Sequence, residues 1–132
     1  MNKWVLLQHK IDRPDCVENH YDFLVENGKD CLTWKIFEIP QINGPSIEIL
    51  KQANHRLIWL YREKYTLSCE RGDVQRKDLG TYSVIGDHLD EDNFSLLLNG
   101  KLIKGIFQKQ SNSCRLISAK NIREFGKSLI EL

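Results

Sequence analysis

His20 and Asp22 hold the most informative chemistry in the chain, because Tyr21 between them and Phe23-Leu24-Val25 after them read as a β-strand. Side chains two positions apart on a strand leave the same face, so an imidazole and a carboxylate project together. Imidazole nitrogen with carboxylate oxygen is half of a site for Mn²⁺, Zn²⁺ or Fe²⁺. The remaining ligands must come from elsewhere. His9 closes the first apolar run and His55 precedes RLIWLY, so both are natural sources; His88 lies in an acidic stretch and reads as a bystander. His-x-Asp also arises by chance, and spacing alone does not separate a ligand from a surface or core histidine.

A second group lies between His55 and Tyr82, where Arg56, Arg62, Lys64, Arg71, Arg76 and Lys77 gather. Guanidinium forks match phosphate oxygens, so the segment suits an anion site. Glu63, Glu70, Asp73 and Asp78 neutralise much of that charge, and composition alone favours reading the same stretch as a charged surface loop. Trp34, Trp59, Tyr61 and Tyr82 offer faces for base stacking, but core packing explains aromatics inside strand-like runs more simply. A phosphate-binding glycine loop, GxGxxG, HExxH and GxSxG are all missing, which argues against a nucleotide hydrolase or serine esterase.

The elements that must position these groups are short. Apolar or alternating runs recur at 4–8, 21–25, 32–37, 56–61, 81–85, 94–98 and 102–107, with 114–118 as a further one. Their lengths suit strands, and Asn27-Gly28, Asn43-Gly44-Pro45 and Asn99-Gly100 supply turns, the last as a two-residue hairpin connection. Only the C-terminus reads as helix, capped by Ser118 with Ile122, Phe125, Leu129 and Ile130 on one face. The acidic run Asp87, Asp90, Glu91, Asp92 predicts an exposed loop.

A length of 132 residues fits one domain spanning 1–132, and 41% hydrophobic with 28% charged residues is ordinary globular composition. The first apolar run is too short for a signal peptide or a membrane span, which predicts a cytoplasmic protein without membrane contact. Cys16, Cys31, Cys69 and Cys114 show no CxxC spacing, so free thiols are expected. The net charge of +1 carries no global nucleic-acid signature, yet residues 101–132 hold seven Lys/Arg against Glu124 and Glu131. That excess suits either an anionic partner or a solvated basic face.

Taken in order, WVLLQH (4–9), HYDFLVENGKDCLTWKI (20–36), HRLIWL (55–60), RGDVQRKDLGTY (71–82) and FSLLLNGKLIKGIF (94–107) resemble the 3′-phosphoesterase domain family of bacterial DNA ligase D, above all its short stand-alone relatives. The resemblance implies a small closed β-barrel of about seven or eight strands with a short C-terminal helix. It also implies a divalent metal, Mn²⁺ first and Zn²⁺ as the alternative, held by His9, His20 and Asp22. His55 would stand beside the scissile phosphate, with Arg56, Arg71 and Arg76 binding phosphate. The implied reaction removes a 3′-phosphate or 3′-ribonucleotide from a DNA or RNA–DNA end in repair, for use by a ligase or polymerase partner. The chain departs from the family at Leu24, Glu38 and Ile47, where active members carry basic residues, so the resemblance also admits a non-catalytic module binding nucleic acid or a repair partner.

Overall fold

The structure, a computed structural model, describes residues 2–68 and 70–119. Its strands are β1 (Lys3–Arg13), β2 (Cys16–Asn27), β3 (Asp30–Ile36), β4 (Ile47–Arg56), β5 (Lys64–Thr66), β6 (Asp73–Val84), β7 (Asn93–Gly100), β8 (Lys104–Gln110) and β9 (Ser113–Ile117). All nine join one antiparallel sheet in the order β1-β2-β3-β4-β9-β8-β7-β6-β5. β1 also pairs with β6 from Lys3↔Thr81 to Lys10↔Asp73, so the sheet closes on itself as a ring and β5 hangs from β6. The ring's weakest seam is β4–β9, which pairs only at Ile47↔Cys114 and Glu48↔Ser113. The expected C-terminal helix falls on residues that lie outside those described.

Alternation sorts the side chains onto two faces. Trp4, Leu6, Phe23, Trp34, Ile49, Tyr82, Leu96, Phe107 and Leu116, drawn from all around the ring, form one cluster, which is the ring's interior. Edge-to-face pairs such as Phe23–Phe107 at 4.9 Å and Trp34–Phe94 at 5.0 Å fill it with large rings. Val5, Leu7, Leu24, Cys31 and Val74 point the other way and are covered by Leu57, Trp59, Leu60 and Leu67. A small second core therefore lies on the outside of β1, β2, β3 and β6, under the segment between β4 and β6.

Three expectations are corrected. RLIWLY is not a strand: Leu57–Leu60 form a single 3-10 turn, because Leu57, Trp59 and Leu60 must fold back onto the outer face. The strand there is β4, whose mainly polar IEILKQANHR carries few buried residues and so lacks a periodic apolar signal. The charged stretch before Tyr82 is not one loop, since Lys64–Thr66 and Asp73–Val84 pair as strands.

The hairpin between β7 and β8 also turns later than Asn99-Gly100. Both residues stay in β7, with Asn99 opposite Lys104. The buried carboxylate of Asp78 sets the turn: Oδ1 accepts the Lys101 N–H at 2.9 Å, and Oδ2 accepts those of Leu102 at 2.9 Å and Ile103 at 2.7 Å. Gly100 is required for close approach, because a Cβ there would stand 2.5 Å from the Trp4 ring and 2.6 Å from Asp78 Oδ2.

Candidate metal centre

Register assembles the site. His9 of β1 lies directly opposite His20 of β2, and Asp22 follows His20 on the same face. Their ligand atoms all fall within 4.8 Å of one another. His20 Nε2 is 3.4 Å from Asp22 Oδ1, and His9 Nδ1 is 3.9 Å from Asp22 Oδ2. The two imidazoles meet edge to face with centroids 4.8 Å apart. His20 and Asp22 are buried, whereas the His9 side chain is 17% exposed and forms the open side of the group.

The groups behind these rings suit cation binding. His9 Nε2 lies 2.7 Å from the Arg71 carbonyl, which only accepts, so Nε2 carries the hydrogen and, in the neutral ring, Nδ1 turns a lone pair toward Asp22. A lone pair facing a carboxylate is stabilised by a cation between them, either a proton or a metal ion. His20 Nδ1 is buried without a hydrogen bond, and Glu18 Oε2 stands 3.5 Å from it. Backing of a ring nitrogen by a carbonyl or a carboxylate is the arrangement that orients metal-binding histidines. Two imidazole nitrogens and one carboxylate gathered on one face thus suit a divalent cation of the Mn²⁺ or Zn²⁺ type.

A pocket of about 300 Å³ opens beside this group, lined by Leu7, His9, Asp22, His55, Trp59, Leu67, Arg71 and Val74. His55 reaches it because Cys31↔His55 pairing turns it to the outer face. Its Nδ1 donates to the Ala53 carbonyl at 3.1 Å, which in the neutral ring leaves the lone pair on Nε2. Arg71 spends Nε and Nη2 on Ser68, each at 3.1 Å, and keeps further N–H donors. The Cys31 thiol beneath His55 is pushed up to about 12, first by burial and then by Asp30 and Glu26, so it stays protonated and is no thiolate ligand at neutral pH.

Of the residues singled out from sequence, His9, His20, Asp22, His55 and Arg71 come together. Arg56 is exposed at the end of β4 and does not line the pocket. Arg76 pairs with Glu63 at 3.2 Å and lines a different pocket beside Trp4 and Tyr61. Leu24 is wholly buried in the outer core, and Glu38 and Ile47 share another surface pocket. Sequence reasoning missed Glu18 and its partner Lys35, 3.5 Å away. The two-residue spacing of Glu18, His20 and Asp22 was the signal that pointed to it. The aromatic expectation is met by Trp34 and Tyr82, which are buried, but not by Tyr61, which is 58% exposed. Of the described basic residues after residue 100, Lys101, Lys104 and Arg115 are exposed, while Lys109 is buried and donates to the Asp92 carbonyl at 2.8 Å.

The chain matches no protein-family model and no curated protein sequence. No helix among the described residues is long and apolar enough to cross a membrane.

Proposed function

We propose that the protein is a metal-dependent phosphoesterase acting on the 3′ ends of nucleic acid, with the ring read as a closed β-barrel of the ligase D phosphoesterase type. The observation that carries this reading is that the His9–His20–Asp22 group borders a pocket which its His9 and Asp22 line together with His55 and Arg71. A bound divalent cation, Mn²⁺ in this reading, supplies Lewis-acid polarisation of a phosphoryl oxygen and a more acidic water. Arg71 offers its remaining N–H donors to phosphate oxygens. His55 Nε2, with its lone pair directed by the Ala53 hydrogen bond, takes up a proton during hydrolysis. Leu7, Leu67 and Val74 give the pocket an apolar wall that limits bulk water.

Incubation with Mn²⁺ and a primer ending in a 3′-phosphate or 3′-ribonucleotide tests the proposal. Release of a 3′-hydroxyl end above the level of Asp22→Ala is expected; equal rates for the two proteins overturn it. Burial of Leu24 favours a second reading, since the strand position following Phe23 offers phosphate no cation. A binding module of this kind retains salt-sensitive affinity for nucleic acid without turnover.

A further inference from the structure

A ladder of rings leads out of the pocket. His55 and Trp59 meet at 6.4 Å and 67°, and Trp59 and Tyr65 at 5.4 Å and 83°. The Arg62 guanidinium lies over both outer rings, 4.6 Å from the Trp59 centroid and 4.1 Å from that of Tyr65. Trp59 packs on the outer core, whereas Tyr65 is 42% exposed on β5, so the outer end of the stack is open to solvent. The register Tyr65↔Val74, His9↔Val74 and His9↔His20 places all four side chains in one row on the outer face. Two strand spacings separate Tyr65 from His9, roughly 10 Å, about the reach of a nucleotide from phosphate to base.

Two arginines stand at the pocket mouth. Among the described residues neither Arg62 nor Arg71 is ion-paired to a carboxylate; of the nearby acids, Glu63 pairs with Arg76, Asp73 accepts from the Thr66 hydroxyl, and Glu70 is exposed. Stackable rings beside unneutralised arginines suit a ligand with both a π-face and an anion. The geometry points to a base-stacking rim: Trp59, Tyr65 and Arg62 take the terminal base of a single DNA strand whose 3′-phosphate lies at Arg71. This deepens the phosphoesterase reading and rests on it for the position of the phosphate.

The test uses a short oligothymidylate with a 3′-phosphate, its last residue either thymidine or abasic, and titrates the full chain in EDTA so that no turnover intervenes. The wild-type protein is expected to bind the base-bearing end about tenfold more tightly. Tyr65→Ala, at an exposed position, brings the ratio close to one and leaves affinity for the abasic end unchanged; Arg62→Gln narrows it as a second variant. Equal affinity of the wild type for both ends, including no binding of either, overturns the rim. So does a preference that survives in both variants. A base preference removed by Tyr65→Ala, together with no Mn²⁺-dependent phosphate release, upholds the rim and sinks the phosphoesterase. Phosphate release with no base preference does the reverse.

Discussion

The Nε2–H of His9 donates to the backbone carbonyl of Arg71 at 2.7 Å, tying the first strand of the ring to the loop that covers the pocket. One contact therefore orients an imidazole toward Asp22 and brings the Arg71 side chain to the same pocket. The chemistry and the cover are mechanically coupled, and that coupling can be tested from either end.

Removal of the Arg71 side chain spares the carbonyl. Arg71→Ala is expected to leave Mn²⁺ affinity within about twofold of wild type while weakening binding of inorganic phosphate, since only the guanidinium donors are lost. Parallel calorimetric titrations with Mn²⁺ and with phosphate separate the two effects.

Gly72 holds the same loop through its backbone. Its φ is +103°, and a Cβ would stand 2.2 Å from the Lys10 carbonyl oxygen, so Gly72→Ala must shift the loop away from β1. We expect a stability loss of about 1–3 kcal/mol and weaker Mn²⁺ binding, because the His9 acceptor moves. Urea unfolding and metal titration on one preparation check both.

Glu18 lies behind His20 as Arg71 lies behind His9. Glu18→Gln is expected to lower Mn²⁺ affinity by about 10- to 100-fold, the usual cost of losing a partner behind a metal-binding imidazole. Asp22→Ala, which removes a ligand, should lower it further. In the wild type, Mn²⁺ at about a hundred times its Kd should add roughly 2.7 kcal/mol of stability, and a chelator should remove it. A thermal melt unaffected by Mn²⁺ would count against the site.

Asp78 tests the fold alone. Its carboxylate accepts the N–H groups of Leu79, Lys101, Leu102 and Ile103 in a buried setting. Asp78→Ala leaves several donors unsatisfied and should cost about 3–5 kcal/mol, read as a lower urea midpoint.

Cys31 carries a pH dependence of definite sign. Its folded thiol is raised to about 12 from an ordinary 9.0, so the unfolded chain loses this proton first as pH rises. The stability it contributes is fully present below pH 9 and fades as pH climbs toward 12. Urea midpoints at pH 8 and pH 10.5 should therefore fall further for the wild type than for Cys31→Ala. Equal slopes would show that the thiol is not protected.

Much of the strand content was legible from residue types because short continuous apolar runs bounded by polar residues, such as Trp4 to Leu7 and Phe23 to Val25, have the length of strands buried on both faces. β4 was not, since Lys51, Gln52 and Asn54 leave it without an apolar rhythm. The turn after β7 was misplaced for another reason. Asn99-Gly100 has the composition of a tight turn, but the partner that decides the bend is Asp78, distant in sequence and unknowable until β6 and β7 are side by side.

The candidate site divides the same way. That His20 and Asp22 share a face follows from the two-residue period of a strand, and Glu18 belongs to the same rule. That His9 completes the group depends on the β1–β2 register, where a slip of one residue would send its ring to the opposite face. That the group lies on the outside of the ring, under Trp59 and Leu67, follows from which face wins the larger apolar cluster. Arg71 reaches the pocket and Arg76 does not, although both are arginines of one charged segment: one precedes the strand in a loop folded over His9, the other is drawn to Glu63. Residue types and local periodicity set which groups can act together, whereas closure of the ring, a long-range pairing, decided which ones do.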